Sequence, residues 1–176
     1  MNSQQIYKIL HSDKDVKQLN FLGVFPIDMI PKDITFPACA VVNTKPHTHR
    51  GEHWVCFVVD RNKRGTYFNS NGYPPYNLPE IANVFRDCTE WTFNDTALQT
   101  PFSAVCGEYC IFLITHIAMG FTLEHIINIL NDAGDTYAND AIVYNYIKNK
   151  YRHIIDTNTL KAVDLSFMFN QAAYSN

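Results

Sequence analysis

The stretch that decides the fold is TPFSAVCGEYCIFLITHIAMG, residues 100–120. A polar segment with a proline passes here into a run that is apolar almost all round, which is typical of a buried helix. The apolar part, residues 104–120, contains Glu108 and His116. It is also shorter than the roughly 20 residues that span a bilayer. We therefore predict a core helix and no membrane anchor.

Cys106 lies at the start of this predicted helix. Unpaired backbone N–H groups and the positive end of the helix dipole would face its sulfur, which favours a lowered thiol pKa and a nucleophilic thiolate. Gly107 would leave room for a substrate backbone, a reason to tolerate a glycine that otherwise costs a helix up to about 1 kcal/mol. The alternative is that Cys106 is a small buried core residue. Cys110, one helical turn later, is predicted to be a core cysteine.

Length and composition bound the class of protein. The 176 residues contain no linker or low-complexity tract, and 47% are hydrophobic, so we predict one domain spanning residues 1–176. The net charge of −3 argues against strong intrinsic affinity for nucleic acid, which depends on a basic face. Five cysteines are an odd number, and the first residues lack the pattern of a signal peptide. Both features indicate free thiols in a reducing compartment.

The pattern of elements predicts an α+β fold. A helix, a small sheet and then a helical half follow one another without βαβ repeats. We expect a small mixed or antiparallel sheet packed against the helical half, with the central helix carrying Cys106. The predicted strands are 38–44, 53–60, 65–70 and 90–94, and the predicted helices are 3–11, a segment after Pro79, 104–120, 122–131, 138–153 and one after 157. Residues 21–37, which contain three prolines, are predicted to be a loop.

Two residues of the predicted hairpin are candidate partners for Cys106. His53 opens the strand HWVCFVVD and could take the thiol proton, and Asn69 ends the next strand. A hairpin brings these two strand ends together, so Asn69 could orient the imidazole. A Cys-His-Asn set divides the work of acyl transfer among a nucleophile, a base and an orienting group. Taken singly, His53 is more often a satisfied polar residue and Asn69 a turn residue.

Gln99 precedes Cys106 by seven residues, across a loop that contains Pro101. Its side-chain amide and the backbone N–H of Cys106 could both donate to the oxyanion of a tetrahedral intermediate. Without such a role, Gln99 would be a solvent-facing residue.

These motifs together resemble a known family. GEHW, then YFNSNGY, then a glutamine seven residues before the cysteine of SAVCGEYC are similar to the adenovirus maturation proteases, or adenains. The SUMO-processing cysteine proteases are more distantly similar. FLGVF and ACAVVNT extend the likeness over residues 20–120. The resemblance implies an adenain-like fold, which is a permuted papain-like arrangement.

The resemblance also implies residue roles in a cysteine protease. Cys106 would be the nucleophile, His53 the base and Gln99 the oxyanion donor. The family has Glu or Asp as its third member, where this chain has Asn69. Either the asparagine orients His53 without adding charge, or the chain is a weakened or inactive homologue. Cys88 precedes Gln99 by eleven residues, the spacing at which adenain has a cysteine that bonds to an activating peptide.

For the function, the resemblance implies a viral endopeptidase that cleaves capsid precursors after small residues such as glycine. It would act in the virion and inside the host cell, as a monomer, with no required cofactor other than the peptide that Cys88 implies. DNA activation is not expected from the negative charge. One alternative is a protease specific for ubiquitin-like proteins. Another is a zinc-stabilised binding module, using His47, His49, His53, Cys106 and Cys110, although a C-x₂-C knuckle is absent.

Overall fold

A five-stranded mixed sheet forms the centre of the computed structural model, which describes residues 1–155. The strands lie side by side in their order along the chain. The middle three are antiparallel to one another, and the two outer strands run parallel to their neighbours. The strands are β1 (Phe21–Pro26), β2 (Ala38–Asn43), β3 (Trp54–Val59), β4 (Arg64–Phe68) and β5 (Glu90–Phe93).

Five α-helices pack around the sheet within residues 1–155, and side-chain caps mark where three of them begin. Asn2 and Gln5 form a capping box at the first helix, and the side chains of Thr122 and Asp135 each accept a backbone N–H at the start of the last two. Such caps satisfy N–H groups that have no partner within the helix. The helices are α1 (Ser3–Ser12), α2 (Pro79–Val84), α3 (Cys106–Ala118), α4 (Leu123–Asn131) and α5 (Thr136–Tyr151).

The sheet is covered on both faces, which explains the continuous apolar sequences of its central strands. Along β3, Cys56 and Val58 belong to a large cluster with α1, α3, α4 and α5. Val55, Phe57 and Val59 belong to a second cluster on the opposite face, with residues of α2. Alternate side chains of a strand point to opposite faces, so a strand that is buried on both sides has no polar alternation.

Helix α3 is the core helix that the sequence predicted, and the α+β fold is confirmed. Every residue from Cys106 to Thr115 is buried. The helix packs against β3, α5 and α1. Within residues 1–155, no helix combines the length and apolarity needed to cross a membrane.

Four details differ from the sequence predictions or lie beyond them. The predicted loop 21–37 contains β1, because its prolines stand at the last strand position, Pro26, and beyond it, leaving the earlier residues free to pair with β2. His53 lies one residue before β3, and the helix that begins at Pro79 ends at Val84. The helix predicted after residue 157 lies outside the described residues.

Candidate active site

A cavity of about 960 Å³ opens beside the N-terminal end of α3. Cys106, the first residue of that helix, lines it together with His53 and Gln99. The remaining walls come from the chain's first residues, the end of β1, the segment between β2 and β3, and the loop before α3. Three of the four predicted site residues therefore share one cavity, and the fourth, Asn69, lies behind His53.

His53 and Asn69 meet at the open end of the β3–β4 pair. His53 directly precedes β3 and Asn69 directly follows β4, and the antiparallel register places these ends side by side. The Nε2 atom of His53 lies 2.8 Å from Oδ1 of Asn69. The backbone N–H of Asn71 also donates to this Oδ1, at 3.0 Å, which identifies the atom as the amide oxygen. His53 Nε2 must therefore be the donor, which leaves Nδ1 of the neutral ring free to accept a proton.

Asn94 holds the backbone of Asn69 in place. The N–H of Asn69 donates to Asn94 Oδ1 at 3.0 Å, and Asn94 Nδ2 donates to the carbonyl oxygen of Asn69 at 2.6 Å. Both residues are buried. Asn94 was not predicted as a site residue. The signal that could have indicated it is its position directly after β5, the strand paired with β4.

Gln99 is buried. It is therefore not the solvent-facing residue that we expected it to be if it had no role in the site. Ser70 Oγ donates to its Oε1 at 2.7 Å, and its Nε2 donates to the carbonyl oxygen of Ser103 at 2.8 Å. These two bonds fix which way the amide faces and leave the second N–H of Nε2 for the cavity. Ser70 is adjacent in sequence to Asn69, so one short segment orients both His53 and Gln99.

The expectation of a thiolate at Cys106 is wrong for the resting site. Burial raises the pKa of the Cys106 thiol, and the backbone N–H groups of Trp54 and Gly107 only partly oppose this. Burial also lowers the pKa of His53, against the opposing effects of the Asn69 hydrogen bond and the charge of Glu52. At neutral pH the resting pair is therefore a thiol and a neutral imidazole.

Gly107 has a packing reason in addition to the predicted room for a substrate, which stays a prediction. A Cβ atom at this position would lie 3.0 Å from Cδ1 of Ile6 and 3.3 Å from Cδ1 of Trp54. Glycine therefore lets α1 and the start of β3 pack closely against the first turn of α3, beneath the cavity.

Cys110 and Cys88 are not among the residues that line the cavity. Cys110 is fully buried, and the carbonyl oxygen of Cys110 lies 3.9 Å from Cys56 Sγ. Both observations agree with a core cysteine. Cys88 is a free, partly buried cysteine that packs against the cluster on the opposite face of the sheet. Burial raises the pKa of its thiol as well.

The zinc-stabilised alternative lacks a ligand set in the part of the chain that the structure describes. Among residues 1–155, no three His, Cys, Asp or Glu side chains are grouped so that they could hold a metal ion. His47 instead contacts Asp28, and His53 contacts Asn69.

Comparisons with known proteins confirm the resemblance predicted from the sequence. No family model matches the chain. The chain is 31% identical over 116 residues to a protease of Avian adenovirus 8 (strain ATCC A-2A), an alignment that covers 53% of each protein. The chain thus spans about half the length of this relative.

Solved structures also resemble the chain. ChlaDub1 from Chlamydia trachomatis matches with a TM-score of 0.50 at 16% identity, over 88% of this chain and 80% of that one. Cdu1, an effector of Chlamydia trachomatis solved in complex with ubiquitin, matches with a TM-score of 0.45 at 18% identity, over 60% and 49%. The likeness to ChlaDub1 is one of fold.

Proposed function

We propose that this chain is a viral cysteine protease in which Cys106 is the nucleophile. The observation that carries the proposal is the common cavity of Cys106, His53 and Gln99, with His53 held by Asn69 in the tautomer that leaves Nδ1 free. The similarity to the avian adenovirus protease supports the same reaction class.

In the proposed mechanism, the proton moves only when substrate arrives. As the Cys106 sulfur attacks the peptide carbonyl carbon, its proton passes to Nδ1 of His53, and the carbonyl oxygen becomes an oxyanion. The free N–H of Gln99 Nε2 and the backbone N–H of Cys106, which has no partner within α3, donate to that oxygen. Each such donor is typically worth about 3 kcal/mol of transition-state stabilisation.

The second half of the reaction returns the site to its resting state. The His53 imidazolium gives its proton to the leaving amine, and the C–N bond breaks to leave a thioester on Cys106. His53 then takes a proton from water, whose oxygen attacks the thioester carbon. The C–S bond breaks to release the carboxylic acid, and His53 returns the proton to the Cys106 sulfur. Asn69 keeps Nε2 occupied as a donor throughout, so the ring presents Nδ1 at each step.

We further propose that the substrates are capsid precursors cleaved after small residues, in the virion and the infected cell. The supporting observation is the adenovirus relative, and the resemblance described above supplies the preference for small residues. We expect a monomer that requires no cofactor. Cys88 could form a disulfide with an activating peptide. Substitution of Cys88 by Ala would remove any stimulation that depends on this disulfide.

The experiment that tests the proposal uses the purified chain and two substrates. One is the capsid precursor of the same virus, and the other is a fusion of a ubiquitin-like protein to a reporter. New termini are mapped by mass spectrometry, and we expect them in the capsid precursor, after glycine or another small residue. Cleavage of the fusion alone would favour the protease for ubiquitin-like proteins.

Two variants identify the nucleophile. We expect Cys106→Ala to abolish cleavage and Cys110→Ala, one helical turn away, to retain much of it. Iodoacetamide should alkylate Cys106 before the buried Cys110, because Cys106 is 8% exposed and Cys110 0%. Cleavage by the Cys106→Ala variant at the wild-type rate would refute the proposed mechanism.

A further inference from the structure

Helix α5 anchors the chain on both sides of Gln99. On one side, the carbonyl oxygen of Leu98 accepts from Asn139 Nδ2 at 3.1 Å. On the other side, the backbone N–H and the hydroxyl of Thr100 lie 3.3 Å and 2.8 Å from Oδ2 of Asp140. Asn139 and Asp140 are neighbours in α5, so two consecutive residues of one helix hold the two neighbours of Gln99.

The same contacts include the helix that carries the nucleophile. Tyr109 lies three residues after Cys106 in α3, and its hydroxyl is 2.8 Å from the Leu98 carbonyl oxygen and 3.0 Å from Oδ1 of Asp140. One hydroxyl hydrogen is shared between these two acceptors. Asp140 therefore connects Thr100, next to the oxyanion donor, to the first turns of α3.

Asp140 is 0% exposed, and the groups that face its carboxylate are hydroxyls and an N–H. Taking a carboxylate out of water is costly, and hydrogen bonds of this kind offset only part of that cost. A neutral side chain would serve the packing of α5 at least as well. The carboxylate is therefore better explained by the geometry that it imposes on its donors.

We propose that Asp140 is a positioning residue that sets the Gln99 amide relative to Cys106. This inference rests on the proposed protease function. Asp140 acts through Thr100 and Tyr109 and does not touch the substrate. Asparagine at this position keeps only one acceptor oxygen, so either Thr100 or Tyr109 loses its acceptor and the link through residue 140 is broken. The direct bond from the Tyr109 hydroxyl to the Leu98 carbonyl oxygen remains, so the change acts on Thr100 and not on the whole segment. A shift of about 1 Å in a catalytic group can cost a hundredfold in rate.

The test compares Asp140→Asn with Gln99→Ala in three reactions of Cys106. Cleavage and reversible binding of a peptide aldehyde both place an oxygen where the oxyanion forms, whereas alkylation by iodoacetamide does not. In Asp140→Asn we expect kcat to fall about thirtyfold to a hundredfold with little change in KM, and the aldehyde affinity to fall with it. The alkylation rate of Cys106 should remain that of the wild type.

The double variant separates positioning from general destabilisation. If Asp140 acts through Gln99, then Gln99→Ala with Asp140→Asn should be no slower than Gln99→Ala alone, because coupled residues are not additive. Asp132→Asn, at an exposed position after α4, makes the same charge change and should have no effect. Thr100→Val removes the hydroxyl and keeps the N–H, so it should produce a smaller loss of the same kind.

Additive losses in the double variant, or an equal loss of iodoacetamide reactivity, would overturn the proposal. Unchanged cleavage in Asp140→Asn would do the same. If Asp140→Asn does not fold, the kinetics of Thr100→Val test the same link between Asp140 and Thr100. Wild-type kinetics in Thr100→Val would then contradict the inference. A wild-type chain that binds the aldehyde but cleaves no substrate would refute the proposed function, while the aldehyde affinities would still test the positioning role.

Discussion

At the scale of single residues, the site is built for a proton transfer that waits for the substrate. Burial raises the pKa of Cys106 and lowers the pKa of His53, so both groups are neutral at rest. A carboxylate in place of Asn69 would favour the imidazolium, whereas the amide supplies only orientation. A neutral thiol is a weaker nucleophile than a thiolate, and it also reacts less readily with unintended electrophiles.

Asn69→Asp tests this balance. The carboxylate would keep the acceptor for His53 Nε2, and its charge should raise the pKa of His53. The Tyr67 hydroxyl, 3.5 Å from Nδ2 of Asn69, can rotate to donate to the new oxygen. Because His53 must be neutral to accept the proton of the resting thiol, a raised His53 pKa should move the acid limit of kcat/KM to higher pH. The measurement is a pH–rate profile over about pH 5 to 9.

Asn69→Ala is the comparison for this prediction. It removes the orienting hydrogen bond, so turnover should fall, and no upward shift of the acid limit should follow. Full activity in Asn69→Ala, together with an unshifted profile in Asn69→Asp, would remove Asn69 from the site. A dyad of Cys106 and His53 would then remain.

The sequence indicates the residues with reactive chemistry better than the residues that hold them. Cys106, His53 and Gln99 line one cavity, and Asn69 contacts His53, while their catalytic roles stay predictions. Such residues can be selected from the sequence because nucleophile, base and donor types are restricted and their spacing is characteristic. Ser70, Asn94 and Asp140 were not found. Each is an ordinary polar residue whose partner is 25 to 40 positions away, so no local pattern marks it.

At the scale of elements, the ends of α1 and α5 are tied together by a buried acid. Asp13, which directly follows α1, accepts from the Tyr151 hydroxyl, and its Oδ2 lies 3.0 Å from Nζ of Lys150. Burial alone would raise the pKa of Asp13, but these two hydrogen bonds and the charge of Lys150 outweigh it and lower the pKa below its ordinary 3.8.

Asp13→Asn should destabilise the protein at neutral pH and should matter less in acid. A hydrogen bond to a charged group contributes about 1.5–3 kcal/mol, and we expect a loss in that range at pH 7. Because the folded-state pKa of Asp13 is lowered, its stabilising effect is complete above the ordinary value of 3.8 and disappears as the pH falls through the folded value. Urea unfolding at neutral and acidic pH measures this difference.

Asp15→Asn is the control, because Asp15 is exposed and two residues away. It should change the free energy of unfolding little at either pH. If Asp13→Asn loses the same stability at both pH values, its effect comes from packing and not from the ionised carboxylate.

The elements themselves follow from local patterns with clear exceptions. The runs over β2 to β4 and the helices α3 to α5 were predicted with ends displaced by at most about two residues, which is usual at element ends. β1 was missed because it ends in a proline and its pairing partner β2 lies a dozen residues away, across two more prolines. A proline-rich segment is predicted to be a loop from local sequence. Only the pairing with β2 shows that the residues before the prolines form a strand.

At the scale of the whole molecule, the site depends on a helix enclosed by the core. The cluster on one face of the sheet includes α3 along most of its length, and the N-terminal end of this helix forms the cavity wall. The sequence could predict that α3 is buried, but not that both faces of the sheet are covered, because that depends on where α2 packs. The stability of the core and the geometry of the cavity wall therefore both depend on α3.

Ile114→Ala measures how much the core around α3 contributes. Ile114 is 0% exposed and lies eight residues after Cys106, so truncating it should leave a cavity in the core without touching the site. Substitutions of this kind cost about 2–5 kcal/mol. Ile129→Ala, at a residue of α4 that is 37% exposed, makes the same chemical change and should alter stability by no more than about 0.5 kcal/mol. Urea unfolding of both variants gives the two free energies, and iodoacetamide labelling of the folded Ile114→Ala variant should still modify Cys106 at the wild-type rate. Equal losses in the two variants would contradict the central position of α3, because only a buried side chain leaves an empty space when it is shortened.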